Sequence, residues 1–207
     1  MLNIAVLVSG GGTNLQALLD AQARGGIHGG KIACVISSRP DAYALTRAQN
    51  AGVPTEIAVR RSFPDADAYE DALLGLFDRY RIDLIVLAGF MTIIGARIIR
   101  RYENKIINIH PSLIPSFCGA GFYGLHVHEA ALARGVKVTG ATVHFVNEVC
   151  DGGPIILQKP VLVEDGDTPE TLQRRVMEQA EWELLPKAVS LFCEGRLSVD
   201  GSRVRIL

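Results

Sequence analysis

Asn108 and His110 stand two residues apart in I-I-N-I-H-P-S-L-I-P, a run that otherwise reads as a buried strand stopped by Pro111. Residues i and i+2 of a strand point to the same side, so an amide and an imidazole lie side by side at a strand end. Two such donors suit an oxygen that gains negative charge during attack on a carbonyl. The plainer alternative is a ring satisfied by a backbone carbonyl, the usual fate of a lone histidine. Asn108 shifts the balance, because ligands of open α/β sheets sit beyond the carboxyl ends of the strands, where this pair lies. His144, inside T-V-H-F-V, reads as a packed strand residue or one that supports the site from behind.

An imidazole used in this way needs a group that sets its charge. Asp151, in N-E-V-C-D-G-G-P, is the candidate, since a neighbouring carboxylate would orient His110 and favour its charged form. An ordinary polar turn explains the same residues, because Asp-Gly pairs are common in turns. S-G-G-G-T-N, from Ser9 to Asn14, falls between the first strand and the first helix. Glycines there let the backbone approach a ligand, and free amides at a helix start favour a phosphate. The dinucleotide fingerprint fails, because Leu15 stands where its third glycine belongs, and no Gly-Lys-Ser/Thr follows to make a P-loop. A bare tight turn is the alternative; three consecutive glycines favour the phosphate.

The elements that must position these groups alternate along the first half. Strands are expected over 2–8, 31–36, 54–59, 84–88 and 105–109, and helices over 14–22, 42–50, 66–80 and 93–102. This alternation predicts an α/β chain with a doubly wound, mostly parallel sheet. Strand-like runs over 141–146 and 154–163, joined by N-E-V-C-D-G-G, predict an antiparallel portion in the C-terminal half. Thr168 and Pro169 open a long helix as N-cap and first residue, and Pro186 should kink or interrupt it. Runs 197–199 and 203–206 around Asp200-Gly201 form a terminal hairpin. No linker or repeat divides the chain, so one domain over 1–207 is expected, the phosphate loop lying in a half over about 1–103 and Asn108, His110 and Asp151 in a half over about 104–207.

Composition narrows the partners. The 207 residues are 48% hydrophobic, enough for one sizeable core. Lys+Arg is 21 against Asp+Glu 22, which offers no basic surface for nucleic acid. No apolar run is long enough to span a membrane, and a cytoplasmic protein is expected. The cysteines Cys34, Cys118, Cys150 and Cys193 show no metal-like spacing and read as reduced thiols. No metal is implied, and nothing here speaks to oligomeric state.

S-G-G-G-T-N-L-Q, L-A-G-F-M, I-N-I-H-P-S-L-I-P, V-H-F-V and D-G-G-P-I-I-L-Q occur in one order and spacing. Together they resemble the phosphoribosylglycinamide formyltransferases, folate-dependent enzymes of purine biosynthesis, over nearly the whole chain. The resemblance implies a Rossmann-like formyltransferase fold and formyl transfer from 10-formyltetrahydrofolate, as co-substrate, to the amine of glycinamide ribonucleotide. Asn108, His110 and Asp151 fall on the family's catalytic asparagine, histidine and aspartate. Gly12, Thr13 and Asn14 fall on the loop that holds the nucleotide phosphate, and Glu181 on a glutamate that contacts the nucleotide. Met91, Thr92, Ile93 and Ile94, with Asn108, Asn147, Glu148, Val149, Cys150 and Asp151, fall on the folate-contacting segments.

Two positions depart from the family pattern. A folate-side arginine of many members is Ala66 here, with Arg60 or Arg61 the nearest substitutes. P-S-F-C-G-A-G-F-Y-G-L-H is longer than the usual link, and its glycines with Phe117, Phe122 and Tyr123 fit either a mobile flap or an inert surface insertion. Among rivals, methionyl-tRNA formyltransferase carries a further C-terminal domain and formyltetrahydrofolate deformylase a further N-terminal one, neither of which is expected here. A non-catalytic nucleotide-binding module explains Ser9 to Asn14 but leaves Asn108, His110 and Asp151 as coincidence.

Overall fold

The computed structural model describes residues 1–207. Its nine strands form one sheet in the order β3-β2-β1-β4-β5-β6-β7-β9-β8. Strands β1 (Leu2–Val8), β2 (Gly30–Ser37), β3 (Thr55–Ile57), β4 (Leu84–Leu87) and β5 (Ile106–His110) run parallel. Then β6 (Val138–Phe145) and β7 (Ile155–Leu162) turn antiparallel, and the hairpin β8 (Leu197–Asp200) and β9 (Arg203–Ile206) extends the edge. The doubly wound sheet with an antiparallel C-terminal portion is thus as the sequence predicts. No helix is long and apolar enough to cross a membrane.

The near-continuous apolar β1 follows from burial on both faces. Ile4, Val6 and Val8 pack with α1 (Thr13–Ala23) and α2 (Tyr43–Asn50) on one face, while Ala5 and Leu7 pack with α3 (Ala66–Arg79) and α4 (Ala96–Arg101) on the other. Leu15 and Leu18 of α1 are fully buried, each contributing about 1.5–3 kcal/mol over an exposed position. They anchor the helix whose first residues face the sheet's carboxyl edge. That edge matters because the strand order reverses between β1 and β4, opening the crevice where such sheets bind ligands.

Some boundaries differ from expectation. β3 keeps only Thr55–Ile57, because the chain turns into a short 3₁₀ segment at Arg60–Ser62. α4 starts at Ala96, so residues 93–95 are not helical. The buried Glu70 carboxylate accepts from the Ile98 amide at 3.2 Å and fills the space beside Gly95, which sets this start. Helix α5 (Leu125–Arg134) has no counterpart among the predicted elements. α6 (Pro169–Val176) begins as expected, with Thr168 Oγ1 accepting from the Thr171 amide and Thr171 Oγ1 from the Thr168 amide. The interruption attributed to Pro186 comes earlier, as the π-helical turn Met177–Glu181, while Pro186 lies inside α7 (Trp182–Cys193). A proline ring crowds the carbonyl one turn before it, here Trp182, and the widened turn ends at the residue just before that one.

Candidate active site

The β5–β6 register places Asn108 opposite His144 and His110 opposite Thr142. His144 Nδ1 lies 2.8 Å from the Phe145 carbonyl, which can only accept, so Nδ1 carries a proton. In the neutral ring Nε2 is then an acceptor, and Asn108 Nδ2 donates to it at 3.1 Å. That contact fixes which end of the Asn108 amide faces inward and leaves its second N–H uncommitted. Of the two roles the sequence leaves open for His144, this contact favours support for Asn108 over plain packing, and the β5–β6 register is the signal that could have chosen between them.

Asp151 reaches the same place from the loop after β6, with φ 53, a left-handed conformation uncommon for a residue with a side chain. Its Oδ2 is 3.6 Å from His110 Nδ1 and its Oδ1 is 3.7 Å from His144 Nε2. The amide of Gly119 donates to Oδ2 at 2.8 Å. Burial alone would raise the Asp151 carboxyl, but the hydrogen bond from the Gly119 amide and the positive charge His110 can carry hold it below its ordinary value. Ion pairing with His110 is present in geometry, though too long for a direct hydrogen bond.

The direct hydrogen bond of His110 goes elsewhere. Its Nε2 donates to the Phe117 carbonyl at 2.8 Å, so the plain carbonyl partner and the carboxylate occur together on one ring. His110 is 4% exposed, and burial lowers its pKa, opposed first by the Phe117 carbonyl and then by Asp151. With Nε2–H committed, Nδ1 is the nitrogen able to take up and release a proton.

At the carboxyl end of β1, Gly12 has φ 74, and a side chain there would meet the Ala44 Cβ at 2.6 Å. Ala44 donates its amide to the Gly10 carbonyl at 3.0 Å and Arg47 Nε donates to the Gly11 carbonyl at 2.8 Å, tying the loop to α2. Arg47 gave no sequence signal. Asn14 Nδ2 donates to Glu181 Oε2 at 2.6 Å, while Asn14 Oδ1 has no hydrogen-bond partner. Glu181 is buried, which pushes its carboxyl up to about 7 against the Asn14 hydrogen bond. The Thr13 hydroxyl lies 3.7 Å from Met177 Sδ, so the π-helical turn and the glycine loop meet directly. Gly12, Thr13, Asn14 and Glu181 form one locus.

Met91, Thr92, Ile93 and Ile94 follow β4 at the switch point, and the Met91 amide donates to Ser9 Oγ at 2.8 Å. Asn147, Glu148, Val149 and Cys150 are exposed, and Glu148 pairs with Arg100 of α4 at 3.3 Å. Ile93 is 90% exposed and Val149 65%. Of the two arginines near the vacant position at Ala66, Arg60 stacks over the buried Tyr69 ring at 5.9 Å.

Comparison with known proteins agrees over nearly the full length. The model of the family described as formyl transferase matches residues 2–189. The chain is 43% identical over 197 residues to a phosphoribosylglycinamide formyltransferase of Haemophilus influenzae, covering 95% of this chain and 90% of that protein. Identity to the Escherichia coli protein of that name is 40% over 210 residues, covering 98% and 96%. The crystal structure of glycinamide ribonucleotide transformylase 1 from Symbiobacterium toebii matches with TM-score 0.94 at 47% identity, over 100% of this chain and 94% of that one.

Proposed function

The chain belongs to the formyl transferase family, and we infer that it moves a formyl group from 10-formyltetrahydrofolate to the amine of glycinamide ribonucleotide, a step of purine biosynthesis. The observation that carries this reading to particular residues is the meeting of Asn108, His110 and Asp151 at the end of β5. The amine nitrogen attacks the formyl carbon, and the carbonyl oxygen becomes an oxyanion. The uncommitted N–H of Asn108 donates to that oxygen, with protonated His110 beside it. A proton must then pass from the attacking nitrogen to the folate nitrogen that leaves, and His110 Nδ1 is the relay. Asp151, 3.6 Å away, favours the charged ring.

Amides of Gly12, Thr13 and Asn14 hold the nucleotide phosphate, and Glu181 contacts the nucleotide through the turn that Asn14 braces. The folate lies against residues 91–94 and 147–151, with Arg60 or Arg61 in place of the arginine absent at Ala66. Both substrates are charged small molecules, which supports the cytoplasmic location expected from the sequence. The test is incubation with glycinamide ribonucleotide and 10-formyltetrahydrofolate or its 5,8-dideaza analogue, following deformylation of the folate. Nucleotide-dependent deformylation is expected; equal rates without nucleotide would mean a folate hydrolase instead.

A further inference from the structure

The segment after His110 does more than lengthen a surface loop. Phe117 has φ 50, so its peptide is turned into the left-handed region and its carbonyl is aimed at His110 Nε2, 2.8 Å away. Both sides of that peptide are fastened. Before it, Ser112 Oγ donates to the Ser116 carbonyl at 2.6 Å, and Thr142 Oγ1 donates to the Ser112 carbonyl at 2.7 Å. Thr142 Oγ1 also accepts from the Ile114 amide at 3.1 Å and from Gln158 Nε2 at 3.0 Å. After it, the Gly119 amide donates to Asp151 Oδ2 at 2.8 Å. One short segment thus spans the two groups assigned to proton transfer.

We propose that the Phe117 peptide is a positioning group for His110, its carbonyl holding the proton on Nε2 so that Nδ1 is the nitrogen presented to Asp151 and to the reaction. The inference rests on the catalytic reading of His110 above. It argues against an inert insertion, which would have no reason to hold a bent peptide against a buried imidazole, and gives the segment around residue 117 a fixed rather than a mobile role.

Few other groups compete for control of the ring. Asp151 faces it from the loop after β6, His144 from β6 itself, and His128 from α5. Burial, with a smaller contribution from His110, takes His128 down to about 4, which leaves it uncharged at neutral pH. Asp151 at 3.6 Å supplies charge but not direction, whereas hydrogen bonds depend steeply on distance and angle. The carbonyl supplies direction.

A backbone group is tested through the conformation it needs. Phe117→Asn and Phe117→Val both delete the aromatic ring, but asparagine tolerates the left-handed region and a β-branched residue does not. Ring nitrogen shifts of His110, read by NMR in the unliganded enzyme, report both tautomer and titration. In Phe117→Val we expect loss of the fixed Nε2–H form and a fall in the His110 pKa of about one unit, roughly tenfold less imidazolium at neutral pH. The kcat should fall with it, and KM for the nucleotide much less. Phe117→Asn should keep the Nε2–H form and lose less kcat. Ser112→Ala, which frees the Ser116 carbonyl without touching residue 117, should shift the ring the same way by a smaller amount, and serves if Phe117→Val does not fold. Valine holding the tautomer while asparagine loses it would assign the effect to side-chain packing and overturn the proposal, as would an unchanged ring in all three variants. These ring measurements need no substrate, so a failed transfer assay beside a held tautomer would count against the catalytic reading alone.

Discussion

Glu181 carries the sharpest quantitative expectation. The residue is 5% exposed, and burial pushes its carboxyl up to about 7, the Asn14 hydrogen bond only partly offsetting this. An acid whose folded-state pKa lies above its unfolded value binds its proton more tightly when folded. Its contribution is therefore fully present below the unfolded value of 4.5 and is lost as pH rises through about 7. Over that interval, at about 1.4 kcal/mol for each pH unit, the loss comes to about 3 kcal/mol. Glu181→Gln abolishes the titration. The new amide oxygen still accepts from Asn14 Nδ2, and its N–H is a donor for Asn14 Oδ1, which lacks a partner. The stability of the variant minus that of the parent should therefore grow by about 2–3 kcal/mol from pH 5 to pH 8. Urea unfolding of both unliganded proteins across that range measures it. A difference that is flat with pH, or that shrinks on the alkaline side, would falsify the argument. In the same variant KM for the nucleotide should rise about tenfold or more, the usual cost of a lost charged hydrogen bond. Stability gained with binding lost is the signature of a buried carboxylate kept for function.

Other perturbations address the remaining groups. Gly12→Val demands a side chain where Ala44 already stands at 2.6 Å, on a φ of 74, and should raise KM for the nucleotide with much less change toward folate; equal loss of both affinities in a folded variant would remove the phosphate from this loop. Asp151→Asn should lower the His110 pKa and cost about 10²–10³ in kcat, the scale of one oxyanion donor; an unchanged ring titration with kcat preserved would return Asp151 to an ordinary turn. His144→Phe keeps the bulk of a buried ring but frees the Asn108 amide to rotate, so kcat should drop roughly tenfold or more with nucleotide KM little changed; full activity would show that Asn108 needs no support.

The fold was legible where burial is two-sided and illegible where it is not. β1 over Leu2–Val8 has the expected bounds, because a run buried on both faces has nothing polar to interrupt it. β3 is an edge strand of the sheet, and its apolar letters continue past the point where pairing stops. Helix α5 escaped notice since only Val127, His128 and Ala131 of its ten residues are buried, too few to mark a stripe. The start of α4 depends on Glu70, a residue of the preceding helix, and no local pattern near Gly95 reports that contact.

The site divides along a different line. Asn108 and His110 were legible because a strand's period forces them to one side, and the same rule extended to β6 would have chosen between the two roles left open for His144. Asp151 was legible as a residue type near glycines, but the distance that ranks it against another partner was not. The ring it faces at 3.6 Å is held at 2.8 Å by the carbonyl of Phe117, and every residue has a carbonyl. A main-chain acceptor therefore leaves no letter in the sequence. Its only trace is indirect, in which residues a φ of 50 will tolerate and in the Ser112 and Thr142 hydroxyls that hold the segment around it. Side-chain chemistry identifies what His110 could do; the peptide seven residues later determines which of its two nitrogens is free to do it.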